Sequence, residues 1–124
     1  MRVIALPGAS SITLAVAASG LNGQSFAFVG YLPIEADARA VRIRELEATS
    51  RRLAQTQVMI ETPYRNGALL GALLAHSQPS TVLSVSVGLT LAGESTRSDR
   101  IERWRASPTT LPADVPAVFS LLAR

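Results

Sequence analysis

Four short segments that are apolar on both faces restrict the fold more than any other feature of this chain. A strand exposed on one side alternates apolar and polar residues, whereas a strand covered on both sides is apolar throughout. Proline, glycine or a helix-like stretch separates the segments, so the chain is expected to alternate strands and helices. The four segments are residues 25–32, 57–61, 81–87 and 116–123.

Helical patterns fill most of the intervals between these strands. The clearest helix is predicted over residues 36–55, where Ile43 and Leu46 recur at helical spacing and the arginines, Arg39 among them, lie on the other face. A second helix is predicted over residues 65–77. The remaining predicted elements are a strand over residues 3–6, a helix that Ser10 or Ser11 caps and Gly20 ends, and a short helix that Ser98 or Asp99 caps and that contains Ile101 and Trp104.

Together these elements predict an α/β fold, a three-layer α/β/α domain with helices on both sides of a mixed sheet of about five strands. The length of 124 residues fits one domain or part of one, and 48% hydrophobic residues fit a buried core. No apolar run approaches the ~18–20 residues of a membrane span. The first apolar stretch is broken by Pro7 and Gly8, which is untypical of a secretory signal, so a cytoplasmic protein is expected.

Composition excludes several kinds of site. Cysteine is absent and His76 is the single histidine, which excludes thiol chemistry, cysteine-ligated metals and two-histidine mechanisms. All twelve basic residues are arginine, for a net charge of +3. One interpretation is a nucleic-acid surface formed by segments 39–52 and 97–105, with Trp104 stacking on a nucleotide. The other, favoured because acids lie among the arginines, is solvated helix faces with Trp104 anchoring its helix.

Two short motifs follow predicted strands. Residues 7–11, Pro-Gly-Ala-Ser-Ser, offer small side chains and free N–H groups to a ligand, although the same residues form an ordinary strand-to-helix turn. Residues 61–66, Glu-Thr-Pro-Tyr-Arg-Asn, begin at the carboxyl end of a strand, where ligands of open α/β sheets bind. There Glu61 and Arg65 either bind a polar group or pair with each other, and Thr62 is placed to cap the next helix.

The ordered series of motifs resembles the C-terminal domain of the tetrapyrrole (corrin/porphyrin) methylase superfamily. The series runs LPGASS, ASGL, FAFVGYLP, the arginine-rich helix, QVMIETPYR, and VGLT with a following Glu, and it covers nearly the whole chain. Within the superfamily it is most similar to the branch of ribosomal RNA small subunit methyltransferase I and its short paralogues. One departure is Tyr64, where the Ser-Pro-His-Arg motif of that branch has histidine.

The resemblance implies a two-domain methyltransferase that binds S-adenosylmethionine in the cleft between its domains. Residues 1–8 then correspond to the last strand and linker of a missing N-terminal domain, and residues 9–124 to the C-terminal methylase domain. The implied reaction is methyl transfer to a tetrapyrrole or to a 2′-oxygen of ribosomal RNA, by a homodimer. The fragment alone is expected to be inactive, and a purely structural or dimerisation domain is the alternative.

The resemblance also implies where the cofactor would be held, while it assigns no catalytic residue and no metal. Most of the implied contacts are backbone or small apolar groups, which suit an adenine ring. We expect Gly8, Glu61, Thr90 and Ala117 to lie on one common rim of the sheet. The full set of implied cofactor contacts is Pro7, Gly8, Glu61, Thr62, Pro63, Leu89, Thr90, Pro116 and Ala117.

Overall fold

The computed structural model describes residues 25–88 and 95–124, which form a mixed sheet and a layer of helices. The strands are β1 (Phe26–Tyr31), β2 (Thr56–Ile60), β3 (Val82–Val87), β4 (Ser95–Arg100) and β5 (Ala117–Leu122). The helices are α1 (Ala36–Leu53), α2 (Asn66–His76) and α3 (Ile101–Ala106), and a 3₁₀ turn spans Pro63–Arg65. The predicted α/β class with a mixed five-stranded sheet is confirmed, whereas the second helix layer of the predicted three-layer domain is not found among the described residues.

The last strand, β5, joins the two halves of the sheet, whose order is β1-β2-β5-β3-β4. It runs antiparallel to β2 on one side and to β3 on the other, and all six of its residues are buried. β1 is parallel to β2, and β4 is antiparallel to β3. The carboxyl ends of β1, β2 and β3 therefore lie at the edge of the sheet where β5 begins.

One core cluster holds the three helices against a single face of the sheet. Ile43 of α1, Leu73 of α2 and Trp104 of α3 are fully buried in it together with Met59 and Phe119. These positions match the predicted inward faces of the helices, because burial of an apolar stripe is what fixes a helix on a sheet. The strand predicted over residues 3–6 and the helix predicted after it lie outside the described residues.

β1 has the predicted position, but among the described strands it pairs with β2 alone and so lies at one side of the sheet and not in its interior. Phe26, Phe28 and Tyr31 are between 40% and 48% exposed, so the expectation that both faces of this strand are covered is wrong. The apolar run shows strand propensity, but it does not show how many neighbours the strand has. A β-bulge between Phe28 and Gly30 interrupts the pairing with β2.

β4 is a strand that the sequence did not predict. A helix cap was expected at Ser98 or Asp99, but both residues belong to β4, and α3 begins at Ile101 with no side-chain cap. The strand is polar and pairs with β3 alone, so no apolar alternation marks it. The expectation that Ile101 and Trp104 share a short helix is confirmed.

The arginines of α1 do not all lie on its exposed face. Arg39 is buried, and its Nε donates a hydrogen bond to the Pro33 carbonyl at 3.1 Å, so its predicted place on the polar face is wrong. The helix ends at Leu53, two residues before the predicted end, because Ala54 adopts a left-handed conformation with φ of 51°.

Glu35 caps the N-terminus of α1, and this cap is expected to make stability pH-dependent. Its carboxylate accepts hydrogen bonds from the amides of Asp37 and Ala38, which hold its pKa below the ordinary value of 4.5. A depressed pKa in the folded state stabilises the fold at higher pH, and this contribution is lost as the pH falls through the folded-state pKa. The difference in unfolding free energy between the wild type and Glu35→Gln should therefore be constant near neutral pH and shrink below pH 4.5. Urea denaturation over a pH series measures it, and a difference that stays constant into acid would contradict this role.

Glu47 connects α1 to the segment that leads into β3. It is buried, and its Oε2 accepts hydrogen bonds from the Gln78 amide at 2.7 Å and from the Thr81 hydroxyl. Glu47→Ala leaves both donors without a partner, so we expect it to lower the unfolding free energy by about 2–3 kcal/mol. Glu45→Ala, on the exposed side of the same helix, should lower it by less than about 0.5 kcal/mol. Urea unfolding compares the two variants, and equal losses would rule out the proposed connection.

Candidate functional site

At one end of the strands, the carboxyl ends of β2 and β3 lie next to the amino end of β5. The register pairs Ile60, the last residue of β2, with Val118, so Glu61 and Ala117 both lie at this end of the strands. Ligands of open α/β sheets bind at the carboxyl ends of strands, which makes this edge the candidate site. We call it the rim, and it consists of residues 61–66, Gly88 and residues 115–117.

Hydrogen bonds attach two further segments to the rim. The Gly88 amide donates to the Pro116 carbonyl at 2.9 Å, and the Asn66 side-chain amide donates to the Val115 carbonyl at 3.1 Å. Gly88 has a φ of 66°, a left-handed conformation that other residues adopt only with strain. The backbone therefore leaves β3 in a fixed direction beside the start of β5.

The structure brings together every predicted cofactor residue that it describes. Glu61 and Ala117 share the rim as expected, whereas Gly8 and Thr90 lie outside the described residues, as do Pro7 and Leu89. The predicted residues found together at the rim are Glu61, Thr62, Pro63, Pro116 and Ala117.

Glu61 is a carboxylate at the rim that is only 1% exposed. Its Oε1 accepts hydrogen bonds from the Thr62 amide at 2.8 Å, the Thr62 hydroxyl at 3.3 Å and Arg65 Nε at 3.2 Å. Glu61 thus pairs with Arg65, which is one of the two expected arrangements. The Thr62 hydroxyl was predicted to cap the next helix, but it bonds Glu61 and caps no helix.

The second oxygen of Glu61 lacks a partner among the described residues. Oε2 is buried and makes no hydrogen bond within the described part of the chain. A buried carboxylate oxygen without a donor is unfavourable, and such atoms are uncommon in native proteins. A hydroxyl or ammonium group of a bound molecule would satisfy this oxygen, so the rim fits a ligand that carries such a donor.

Tyr64 and Arg65 lie beside Glu61 on the 3₁₀ turn. Tyr64 is 69% exposed, and the guanidinium carbon of Arg65 lies 4.7 Å from the centroid of its ring. Arg65 Nη1 also donates to the Tyr64 hydroxyl at 2.6 Å. Sequence reasoning did not assign Tyr64 to the site, although an aromatic residue directly after the strand end was an available signal.

The structure decides between the two interpretations of Trp104. Its ring is fully buried and its Nε1 donates to the Leu83 carbonyl at 2.9 Å, so Trp104 anchors α3 and does not stack on a nucleotide. Arg97 packs over the buried ring at 4.1 Å. The donors of Arg97 bond the side chains of Asp99 and Thr109 and the carbonyls of Arg103 and Ser107.

Residues 25–88 and 95–124 hold neither a metal-binding cluster nor a membrane-spanning helix. No group of three acidic or histidine side chains is arranged there to hold a metal ion. None of the helices in these ranges has the length and apolar character needed to span a membrane.

Sequence comparison finds relatives that carry one name. No protein-family model matches the chain. It is 35% identical over 74 residues to ribosomal RNA small subunit methyltransferase I of Mesorhizobium japonicum, a match that covers 60% of this chain and 24% of the relative. The protein of the same name from Vibrio cholerae is 37% identical over 65 residues, covering 52% and 21%. The matched region thus spans less than a quarter of these relatives.

Two solved methyltransferase structures share the fold. The methyltransferase CobJ matches with a TM-score of 0.51 and 12% identity, over 89% of this chain and 51% of that chain. Uroporphyrin-III C-methyltransferase from Thermus thermophilus matches with a TM-score of 0.50 and 24% identity, over 94% and 49%. Together with the relatives, these matches confirm the resemblance to the tetrapyrrole methylase superfamily.

The left-handed conformation of Gly88 restricts which residues can occupy this position of the rim. Gly88→Ala places a Cβ in a conformation that costs about 1–2 kcal/mol, so we expect the unfolding free energy to fall by that amount. Gly71→Ala is the matched control, because Gly71 lies in α2 with open space around an added Cβ. That variant should gain about 0.5–1 kcal/mol. Urea unfolding measures both, and a Gly88→Ala protein as stable as the wild type would argue against the constraint.

Proposed function

We propose that this chain forms the C-terminal domain of an S-adenosylmethionine-dependent methyltransferase and that the rim is its half of the cofactor cleft. The observation that carries the proposal is the buried, unpartnered Oε2 of Glu61 at the edge where the strand ends converge. The superfamily resemblance supports it, and so does the length of the two solved methyltransferases, of which this chain covers about half. In this proposal a preceding N-terminal domain supplies the other half, joined through residues 1–8, and the isolated chain is inactive.

The residues of the rim have separate tasks in this proposal. Glu61 Oε2 accepts a hydrogen bond from a hydroxyl or ammonium group of S-adenosylmethionine. Pro116 and Ala117 present backbone and a small side chain, which leave space for the adenine ring. When bound, the cofactor supplies a methyl group on a positively charged sulfur, and its transfer by in-line displacement depends on positioning more than on a strong acid or base. In this proposal the chain therefore orients the cofactor and excludes water from the cleft.

The proposed acceptor is ribosomal RNA, with a tetrapyrrole as the alternative. The relatives found by sequence are named as ribosomal RNA methyltransferases, whereas the likeness to the uroporphyrin-III enzyme is a likeness of fold. A homodimer and a cytoplasmic location complete the proposal. Light scattering of the purified protein measures its oligomeric state.

Calorimetric titration of the full-length protein with S-adenosylhomocysteine tests the cofactor site. Glu61→Gln removes the buried carboxylate, and loss of a hydrogen bond to a charged group should weaken binding by about tenfold to a hundredfold. Glu45→Gln makes the same substitution on the exposed face of α1, away from the rim, and should bind as the wild type does.

Two results would overturn the proposal. One is a folded wild-type protein that does not bind S-adenosylhomocysteine. The other is a Glu61→Gln variant that binds it as tightly as the wild type. Thermal unfolding of each variant establishes that a loss of affinity is not a loss of structure.

A further inference from the structure

Two arginine–aromatic pairs are present in the described part of the chain, and they differ in what they leave available. In the first pair, Trp104 is fully buried and Arg97 uses Nε, Nη1 and Nη2 in hydrogen bonds within the chain. The buried ring offers no face to a ligand, and every guanidinium nitrogen of Arg97 already donates to a group of this chain. This pair stabilises the packing of α3 against β4 and has no capacity for recognition.

The second pair, Tyr64 and Arg65, is accessible to solvent. The ring of Tyr64 is 69% exposed, the largest exposed fraction among the large hydrophobic side chains described. Arg65 donates from Nε to Glu61 and from Nη1 to the Tyr64 hydroxyl, but Nη2 has no partner among the described residues. The guanidinium is thus held in position by two hydrogen bonds while one edge of it remains available.

This arrangement suits a particular ligand chemistry. An exposed tyrosine ring offers a surface on which a flat ring stacks. An arginine whose orientation is already fixed loses little side-chain entropy when it binds an anionic oxygen. The pair therefore matches a conjugated ring that has a negatively charged oxygen group near it, as a nucleotide has in its base and phosphate.

We propose that Tyr64 and Arg65 bind the methyl acceptor, with a base of single-stranded RNA stacked on Tyr64 and a neighbouring phosphate paired with Arg65. This inference rests on the proposed function, because Glu61 holds Arg65 through Oε1 while its Oε2 is assigned to the cofactor. Glu61 would then connect the cofactor side of the rim to the acceptor side. One exposed six-membered ring and one spare donor match one base and one phosphate. A carboxylated tetrapyrrole offers the same two kinds of group, so it forms the second arm of the test.

The test measures binding by the full-length protein of a fluorescein-labelled, single-stranded RNA of mixed sequence, and in parallel of uroporphyrin III. Tyr64→Ala should raise the Kd for RNA by about fivefold to a hundredfold, whereas Tyr64→Phe, which keeps the ring and loses only the hydrogen bond from Arg65 Nη1, should raise it much less. Arg65→Gln should lower the slope of log affinity against log salt by about 0.7, the value for one phosphate contact on a single strand. Tyr64→Ala should leave that slope unchanged.

Controls and a separate readout distinguish this inference from the proposed function. Phe26→Ala removes an exposed aromatic ring and Arg52→Ala an exposed arginine, both at the opposite edge of the sheet, and neither should change RNA affinity. Calorimetry should give Tyr64→Ala the wild-type affinity for S-adenosylhomocysteine. A wild type that binds RNA but not S-adenosylhomocysteine would overturn the proposed function alone.

Three results would overturn the assignment of Tyr64 and Arg65 to an RNA acceptor. The first is a wild type that binds no RNA, or variants that bind it as the wild type does. The second is a Tyr64→Ala variant that loses affinity for S-adenosylhomocysteine as much as for RNA, which would make the tyrosine a structural or interdomain contact. The third is a loss of uroporphyrin III binding with RNA binding unchanged.

Discussion

The insertion of β5 between β2 and β3 is the constraint on which the rest of the structure depends. The strand is hydrogen-bonded on both sides, is buried along its whole length, and carries Phe119 at the centre of the core. Because it runs against both neighbours, its first residue lies beside their last residues. The same pairing that closes the hydrophobic core therefore assembles the rim, and the candidate site depends on a segment near the end of the sequence.

Two buried glutamates at opposite edges of the sheet show how one residue type serves different purposes. At the edge away from the rim, Glu47 accepts two hydrogen bonds from the segment before β3 and has a structural role. At the rim, Glu61 concentrates its internal contacts on one oxygen and leaves the other without a donor. The difference lies in the surroundings, since the Glu47 carboxylate meets both a backbone amide and a hydroxyl of the same segment. An incompletely bonded buried carboxylate is the more informative one for function.

Sequence patterns predicted the central elements well and the edges poorly. β2, β5, α1 and α2 were all found near their predicted positions, because burial on a sheet or against a helix layer requires a recognisable apolar pattern. β4 was missed because an edge strand needs only one neighbour and is under no requirement to be apolar. β1 is apolar, but its composition does not show how many neighbours it has, so its aromatic residues were expected to be covered and are exposed. Arg39 was misplaced because the carbonyl that it bonds, that of Pro33, belongs to a segment outside its helix.

The candidate site divides in a similar way. The order of motifs along the chain predicts Glu61, Thr62, Pro63, Pro116 and Ala117 as cofactor contacts, and the structure places these five residues at one end of the strands. That order did not reveal that Glu61 accepts a hydrogen bond from Arg65 on one oxygen while the other has no donor among the described residues. It also did not reveal that Tyr64 is exposed to solvent with Arg65 packed against its ring. Nor did it show which of the two arginine–aromatic pairs is buried and which is exposed.

By itself the sequence determined the buried strands, the helices and the motifs that follow strands, because local propensity and apolar periodicity are properties of neighbouring residues. Tertiary structure alone decided that Ala117 lies at the same end of the strands as Glu61 and that Trp104 is buried while Tyr64 is exposed. It also decided which oxygen of Glu61 lacks a donor among the described residues. Those outcomes depend on hydrogen bonds and burial between residues far apart in the chain. They are settled only when β5 takes its place between β2 and β3.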